Sequence, residues 1–175
     1  MSEAESWTLA QMLHVMEETG IDIEQSDGHA ETVAPAIPRW RCQVDASWVS
    51  TQEAVGVGFV MMEEGATILY GAKKTNNTES PLHAEAEGLI WAMQETLGRE
   101  FTIMHFETDC QQLVKLIKND EEEWPAMATE LDEIKTLASN FNIFSMSYVS
   151  RSLNLRVDGL AKGVRSRELR ILYVN

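Results

Sequence analysis

The chain has 175 residues, 44% hydrophobic and 24% charged, with a net charge of −14. That length suits one domain with a modest extension and a core that needs no disulfide or structural metal. The acidity excludes a general nucleic-acid coat, which requires a basic face, and no stretch approaches the ~20 apolar residues of a membrane helix.

In chain order, residues 7–19 place Leu9, Met12, Leu13 and Met16 on one helical face, with Gly20 as a C-cap. Residues 21–38 are acidic, irregular and punctuated by Pro35 and Pro38, which reads as a linker. The expected division is therefore residues 1–39, a helix and linker, and residues 40–175, a folded domain. The two parts carry equal charge: eight acids and one base in the first, 20 acids and 13 bases in the second, −7 each. Met1–Ser6 lacks the basic-then-apolar order of a secretory signal, so an intracellular protein is expected, nuclear or cytoplasmic.

WRCQVDASW (40–48) alternates, with Cys42, Val44 and Ala46 on one face and Arg41, Gln43 and Asp45 on the other. AVGVGFVMM (54–62) is a second strand whose glycines permit close backbone approach. A turn at Glu64-Gly65 leads into ATILYGAKK (66–74), giving an antiparallel meander. Ser80 and Pro81 start a helix that carries Leu82, Ala86, Leu89, Ile90, Met93 and Leu97 and stops at Gly98. A strand over 101–108, a short helix over 111–119, a helix from Pro125, a strand over 141–149, a helix from Leu153 to about Glu168 and an apolar tail, ILYV, complete the chain. The order predicts an α/β fold: a mixed five-stranded sheet, its first three strands antiparallel, with helices on its faces. Cys42 and Cys110 have no metal-ligand spacing and read as reduced, buried thiols.

Four acids stand out by position: Asp45 in the first strand, Glu85 early in the first domain helix, Asp109 directly after the fourth strand and Asp158 in the last helix. An acid within a β-forming run is costly unless solvated, paired or metal-bound, and the carboxyl end of a parallel strand is where α/β sheets place their functional crevice. Four convergent carboxylates would repel one another, and hard cations with oxygen ligands relieve that repulsion. With 28 acids in the chain, any one of these taken alone reads equally as a solvated surface group, and periodicity does not select them.

The surrounding words do. RCQVDAS (41–47), SPLHAEAEGLIWAM (80–93), FETDCQQLVKLI (106–117) and VSRSLNLRVDGLAKGVR (149–165), in this order and spacing, resemble the ribonuclease-H-like domain of plant retroelement-type reverse transcriptases and their stand-alone relatives. The resemblance runs from about Trp40 to Arg167. It implies that Asp45, Glu85, Asp109 and Asp158 are catalytic and hold Mg²⁺, with Mn²⁺ as a substitute, and that helices cover both sheet faces. It selects Glu85 over Glu87, which helix geometry does not. The implied activity is two-metal hydrolysis of the RNA strand of an RNA–DNA hybrid, Asp45 bridging the ions.

The implied substrate contacts are Ser47, Asn76, Tyr148, Arg151 and Asn154, the last two matching the family's R-x-x-N. Lys73, Lys74, Asn77, Arg156, Lys162, Arg165, Arg167 and Arg170 are further candidates for phosphate contact, each read equally well as part of a solvated basic face. The sequence departs from the family at Tyr148, where a histidine is frequent. A phenol titrates near 10 and does not shuttle protons near neutrality as imidazole does, so slow turnover is expected. The Asp120–Glu123 run stands where a basic helix would aid hybrid binding. The acidic surface, the change at Tyr148 and the stand-alone setting support an alternative, a catalytically weak or inactive nucleic-acid-binding or interaction module of the same fold. A related exonuclease is disfavoured because Ser47 stands where those enzymes carry a second acid.

Overall fold

A computed structural model describes residues 38–119, 124–166 and 171–174. The expected helix over 7–19, the linker up to residue 37, the Asp120–Glu123 run and Arg167 and Arg170 lie outside the described residues.

Strand β1 (Trp40–Ser47) is central. It pairs antiparallel with β2 (Val55–Glu63), which pairs antiparallel with β3 (Ala66–Thr75). The β2–β3 turn uses Glu64 and Gly65, both at positive φ (49° and 87°). That backbone suits a two-residue hairpin, whose turn twist must match that of its strands. On its other side β1 pairs parallel with β4 (Ile103–Thr108), and β4 pairs parallel with β5 (Ile143–Tyr148). These five strands form the expected mixed sheet. The apolar tail adds what the sequence reading left open: Ile171–Val174 forms β6, antiparallel to β3, giving the order β5-β4-β1-β2-β3-β6. Its backbone pairs with groups of β3 that would otherwise stand open on an edge strand.

Helix α1 (Pro81–Gly98) begins at Ser80, whose side chain accepts a hydrogen bond from the His83 backbone N–H (3.2 Å). Its buried residues, Leu89, Ile90 and Met93 among them, join Val44, Val57, Phe59 and Met61 in the main core. Helices α2 (Gln111–Lys118) and α3 (Ala128–Ala138) add Leu113, Leu116 and Ile134 to that core. Two helix starts differ from expectation: Pro125–Met127 and Arg151–Leu153 are 3₁₀ turns, so α3 starts at Ala128 and α4 runs over Leu155–Arg165.

Helix α4 packs on the opposite face of the sheet, where Val157 meets Val60 and Met62. The two glycines of β2 allow this. A Cβ on Gly56 would lie 1.9 Å from the Ala161 carbonyl oxygen, and one on Gly58 would lie 3.3 Å from that of Val157. Gly56→Ala should therefore push α4 off the sheet and cost about 1–3 kcal/mol, the range of core overpacking; urea denaturation at equilibrium, monitored by circular dichroism, reads this as a lower midpoint.

Candidate functional site

Three features of the fold draw the acids together. Val44 and Thr108 are register partners in the parallel β1–β4 pair, so the next residues, Asp45 and Asp109, emerge side by side at the carboxyl ends of the strands. Gly88 on α1 sits close against β1, its Cβ position 3.3 Å from the Asp45 carbonyl oxygen, which brings Glu85, one turn earlier, over the same strand end. Asp45 is opposite Gly58 in the β1–β2 register, and α4 crosses at Gly58, which sets Asp158 beside the group.

Asp45, Glu85 and Asp109 each offer a carboxylate oxygen within 4.8 Å of the others. Asp158 lines the same cleft, of about 370 Å³, with Trp48, Arg151, Leu155 and Lys162 on its walls. Its side chain shares a hydrogen bond with that of Asp45, and Lys162 Nζ donates to its Oδ2 at 2.9 Å. The structure thus gathers three of the four expected acids within 4.8 Å of one another and sets the fourth against Asp45.

The electrostatics show the cost of this arrangement. Burial raises Asp45 to about 7, helped by the negative charge of Asp109. Burial likewise raises Glu85 well above the usual carboxylate range, with Asp45 and Asp109 adding repulsion. Asp109 is raised by burial too, partly offset by Arg151 and Asn154. Glu85 Oε2 is sealed from solvent and has no hydrogen-bond partner. An orphaned oxygen among crowded, all-oxygen donors fits a hard divalent cation, which would satisfy the oxygen and cancel the repulsion.

The expected substrate contacts divide. Arg151 is 91% exposed, with its Nε 3.9 Å from Asp109 Oδ2, and stands free to reach a ligand at the cleft mouth. Ser47 lines the cleft, its hydroxyl accepting from Arg165 Nε at 2.8 Å. Asn76 is exposed in the polar loop after β3. Tyr148 is half-buried against the edge of the core and does not line the cleft. Asn154 is fully buried, its Nδ2 donating to the Val44 carbonyl at 3.2 Å. Its geometry supports bracing β1 beside Asp45 rather than touching a ligand.

Sequence reasoning missed the polar network beneath the site. Glu107 Oε1 accepts from Arg41 (3.0 Å) and Gln43 (3.3 Å), and Gln43 also donates to the Leu153 carbonyl (3.0 Å), tying β1 to the turn before α4. His105, expected to be structural or solvent-facing, is structural: 2% exposed, with each ring nitrogen 2.7 Å from a serine hydroxyl, Ser145 or Ser147. Burial, reinforced by Arg41, lowers its pKa to about 3. The available signal was the polar residues at alternate positions of β1, β4 and β5, which acquire meaning only once the strands are placed in register.

A mixed sheet in this order, with carboxylates converging at the ends of its parallel strands, defines a ribonuclease-H-like domain. Solved structures share the fold. RNase H1 from Halobacterium salinarum superposes with a TM-score of 0.67 at 21% identity, covering 72% of this chain and 96% of its own. The N-terminal RNase H domain of a Mycobacterium tuberculosis protein gives 0.65 at 17%, covering 74% and 94%. LC11-RNase H1, solved in complex with an RNA/DNA hybrid, gives 0.66 at 16%, covering 73% and 97%. No curated protein sequence matches the chain. Residues 43–164 match the reverse transcriptase-like family model, and the chain belongs to that family.

The raised acids carry a pH consequence with a definite sign. Between about 4 and 7 the folded chain holds a proton on Asp45 that the unfolded chain has released, so this group's contribution to stability falls as pH rises through that window and is flat above it. Asp45→Asn in metal-free buffer should be more stable than wild type at pH 8, by on the order of 2 kcal/mol, with the gain gone at pH 4. Urea titrations with EDTA at the two pH values measure the difference.

Proposed function

We propose that the chain is a metal-dependent endoribonuclease that hydrolyses the RNA strand of RNA–DNA hybrids, with Asp45, Glu85, Asp109 and Asp158 as its catalytic carboxylates. The observation that carries this reading is the cluster of three carboxylates from three separate elements, within 4.8 Å, with one oxygen buried and unpartnered. Mg²⁺ suits such donors, and Mn²⁺ can take its place. A divalent ion bound there supplies Lewis acidity toward a phosphoryl oxygen and a water made acidic enough to attack at neutral pH.

The chain's own residues would do the rest. Asp45, Glu85 and Asp109 hold the ion at the carboxyl end of the sheet, and Asn154 keeps β1 in place beneath them. Arg151 and Lys162 at the rim, with Ser47 deeper in the cleft, would seat the sugar–phosphate backbone. Phosphate contacts of this kind position a duplex without reading its sequence, and a hybrid is then told apart by shape and by its 2′-hydroxyls. Asn76 and Tyr148, which do not line the cleft, would meet the flanking duplex. A structural neighbour solved with an RNA/DNA hybrid supports this substrate class.

Tyr148 favours a second reading, a module that binds nucleic acid with little or no cutting: it stands where the family frequently has histidine, and it does not line the cleft. A labelled RNA–DNA hybrid incubated with the full chain and Mg²⁺ or Mn²⁺ separates the two. The enzyme reading expects cutting of the RNA strand, lowered on the order of 100-fold or more by Asp109→Asn, as when a charge-stabilising group is removed from an active site, and raised by Tyr148→His. Hybrid binding without cutting under either metal would leave the binding module.

A further inference from the structure

Met104 and Phe106 of β4, and Phe144 and Met146 of β5, point into the main core. Strand alternation therefore sends Ile103, His105 and Glu107, and Ile143, Ser145 and Ser147, to the opposite face. Helix α4 occupies that face across β1, β2 and β3, and among the described residues no helix is set across β4 and β5 there. A side chain on a bare face of an edge strand meets water. Yet Ser145, on the edge strand β5, is 0% exposed, and its partner His105 is buried beside it. Burial is also the first cause of the lowered pKa of His105. Burial this complete requires a cover.

Connectivity narrows the source. Outside the described residues lie 1–37, 120–123, 167–170 and Asn175. Residues 120–123 lead from α2 towards α3, both of which pack on the main-core side. Residues 167–170 and Asn175 flank β6, at the sheet edge farthest from β5. Residues 1–37 alone have the length, and they enter the sheet at β1, where Arg41 is the register partner of His105. As a helix, residues 7–19 span about 20 Å, the length of a strand of six residues such as β5. Residues 20–39 extended reach roughly 60 Å, ample for a return over the face. The stripe of Leu9, Met12, Leu13 and Met16 needs a surface that asks no hydrogen bond of it. The face offers one. Ile103 and Ile143 are register partners, 42% and 46% exposed, and each His105 ring nitrogen is already matched with a serine hydroxyl.

We infer that residues 7–19 form an amphipathic helix that docks on β4 and β5 beside α4, its apolar stripe lying over Ile103, Ile143 and the bonded group of His105 and its serines. The segment is then a layer of the domain rather than a tether, and residues 1–39 fold with 40–175 as one unit, against the division expected from the sequence. It closes the same face that holds Arg41, Gln43 and Glu107 beneath the carboxylates.

Methyl NMR on the full chain, labelled at methionine and isoleucine, tests the contact. The expected result is nuclear Overhauser effects from Met12 or Met16 to Ile103 or Ile143 in wild type. Leu13→Asp should lose them and unfold at a lower urea concentration. Its His105 ring, followed by nitrogen shifts, should titrate above the value of about 3 that it has when covered. A sample mixed from methionine-labelled and isoleucine-labelled chains tells one chain from two. Contacts that survive in the mixed sample overturn the inference in favour of a second copy as the cover. Absence of these contacts in folded wild type overturns it outright, and so do unchanged contacts and stability in Leu13→Asp.

Discussion

Parallel pairing between β1 and β4 brings Asp45 beside Asp109, and the rest of the site is arranged around the repulsion this creates. Two carboxylates at adjacent strand ends, partly removed from water, cannot both ionise freely near neutrality. A third, Glu85, is then pressed onto them by the close seat of α1 at Gly88. Such a cluster persists in a folded chain only because the surrounding sheet and helices over-determine it. The residues that hold it are ordinary core: Val44, Val57 and Phe59 beneath α1, and Val60 and Met62 beneath α4.

The supports beneath the acids are polar where a core would normally be apolar. Gln43 and Arg41 converge on Glu107, and Asn154 reaches the backbone of β1. Each bond joins elements far apart in sequence, so together they tie β1, β4 and the turn before α4 into one frame. These hydrogen bonds fix a geometry that apolar packing alone would let slide, although Arg41 Nε and Asn154 Oδ1 are buried without a partner. Asp109 and Asp158 enter the cleft from the two ends of this frame.

The cations follow a different logic. Arg151 and Lys162 stand on the exposed rim, each beside one acid. They lower the negative potential of a strongly acidic chain at the place where an anionic backbone would have to enter. Global charge, −14, therefore says less about a nucleic-acid partner than the charge within a few ångströms of the carboxylates, since screening removes most of the distant contribution.

Much of the fold was legible in the sequence. Strict alternation in WRCQVDAS, the Glu64-Gly65 turn and the Ser80-Pro81 helix start each act over a few residues, and local physics decides them. The glycines of β2 were readable as close-approach positions, though not as the seat of α4. The tail ILYV was apolar but without a partner, because an edge pairing with β3 spans about a hundred residues. At the site, the four acids could be selected only through the words around them. Register decided which three share a cluster and that Asn154 braces the strand from inside, whereas the meeting of Asp158 with Lys162, four residues on along α4, follows from helical spacing alone. By itself the sequence determined the elements, their faces and the kinds of donor available. Only tertiary structure decided which donors meet, because a one-residue slip of a strand sends every side chain to the other face.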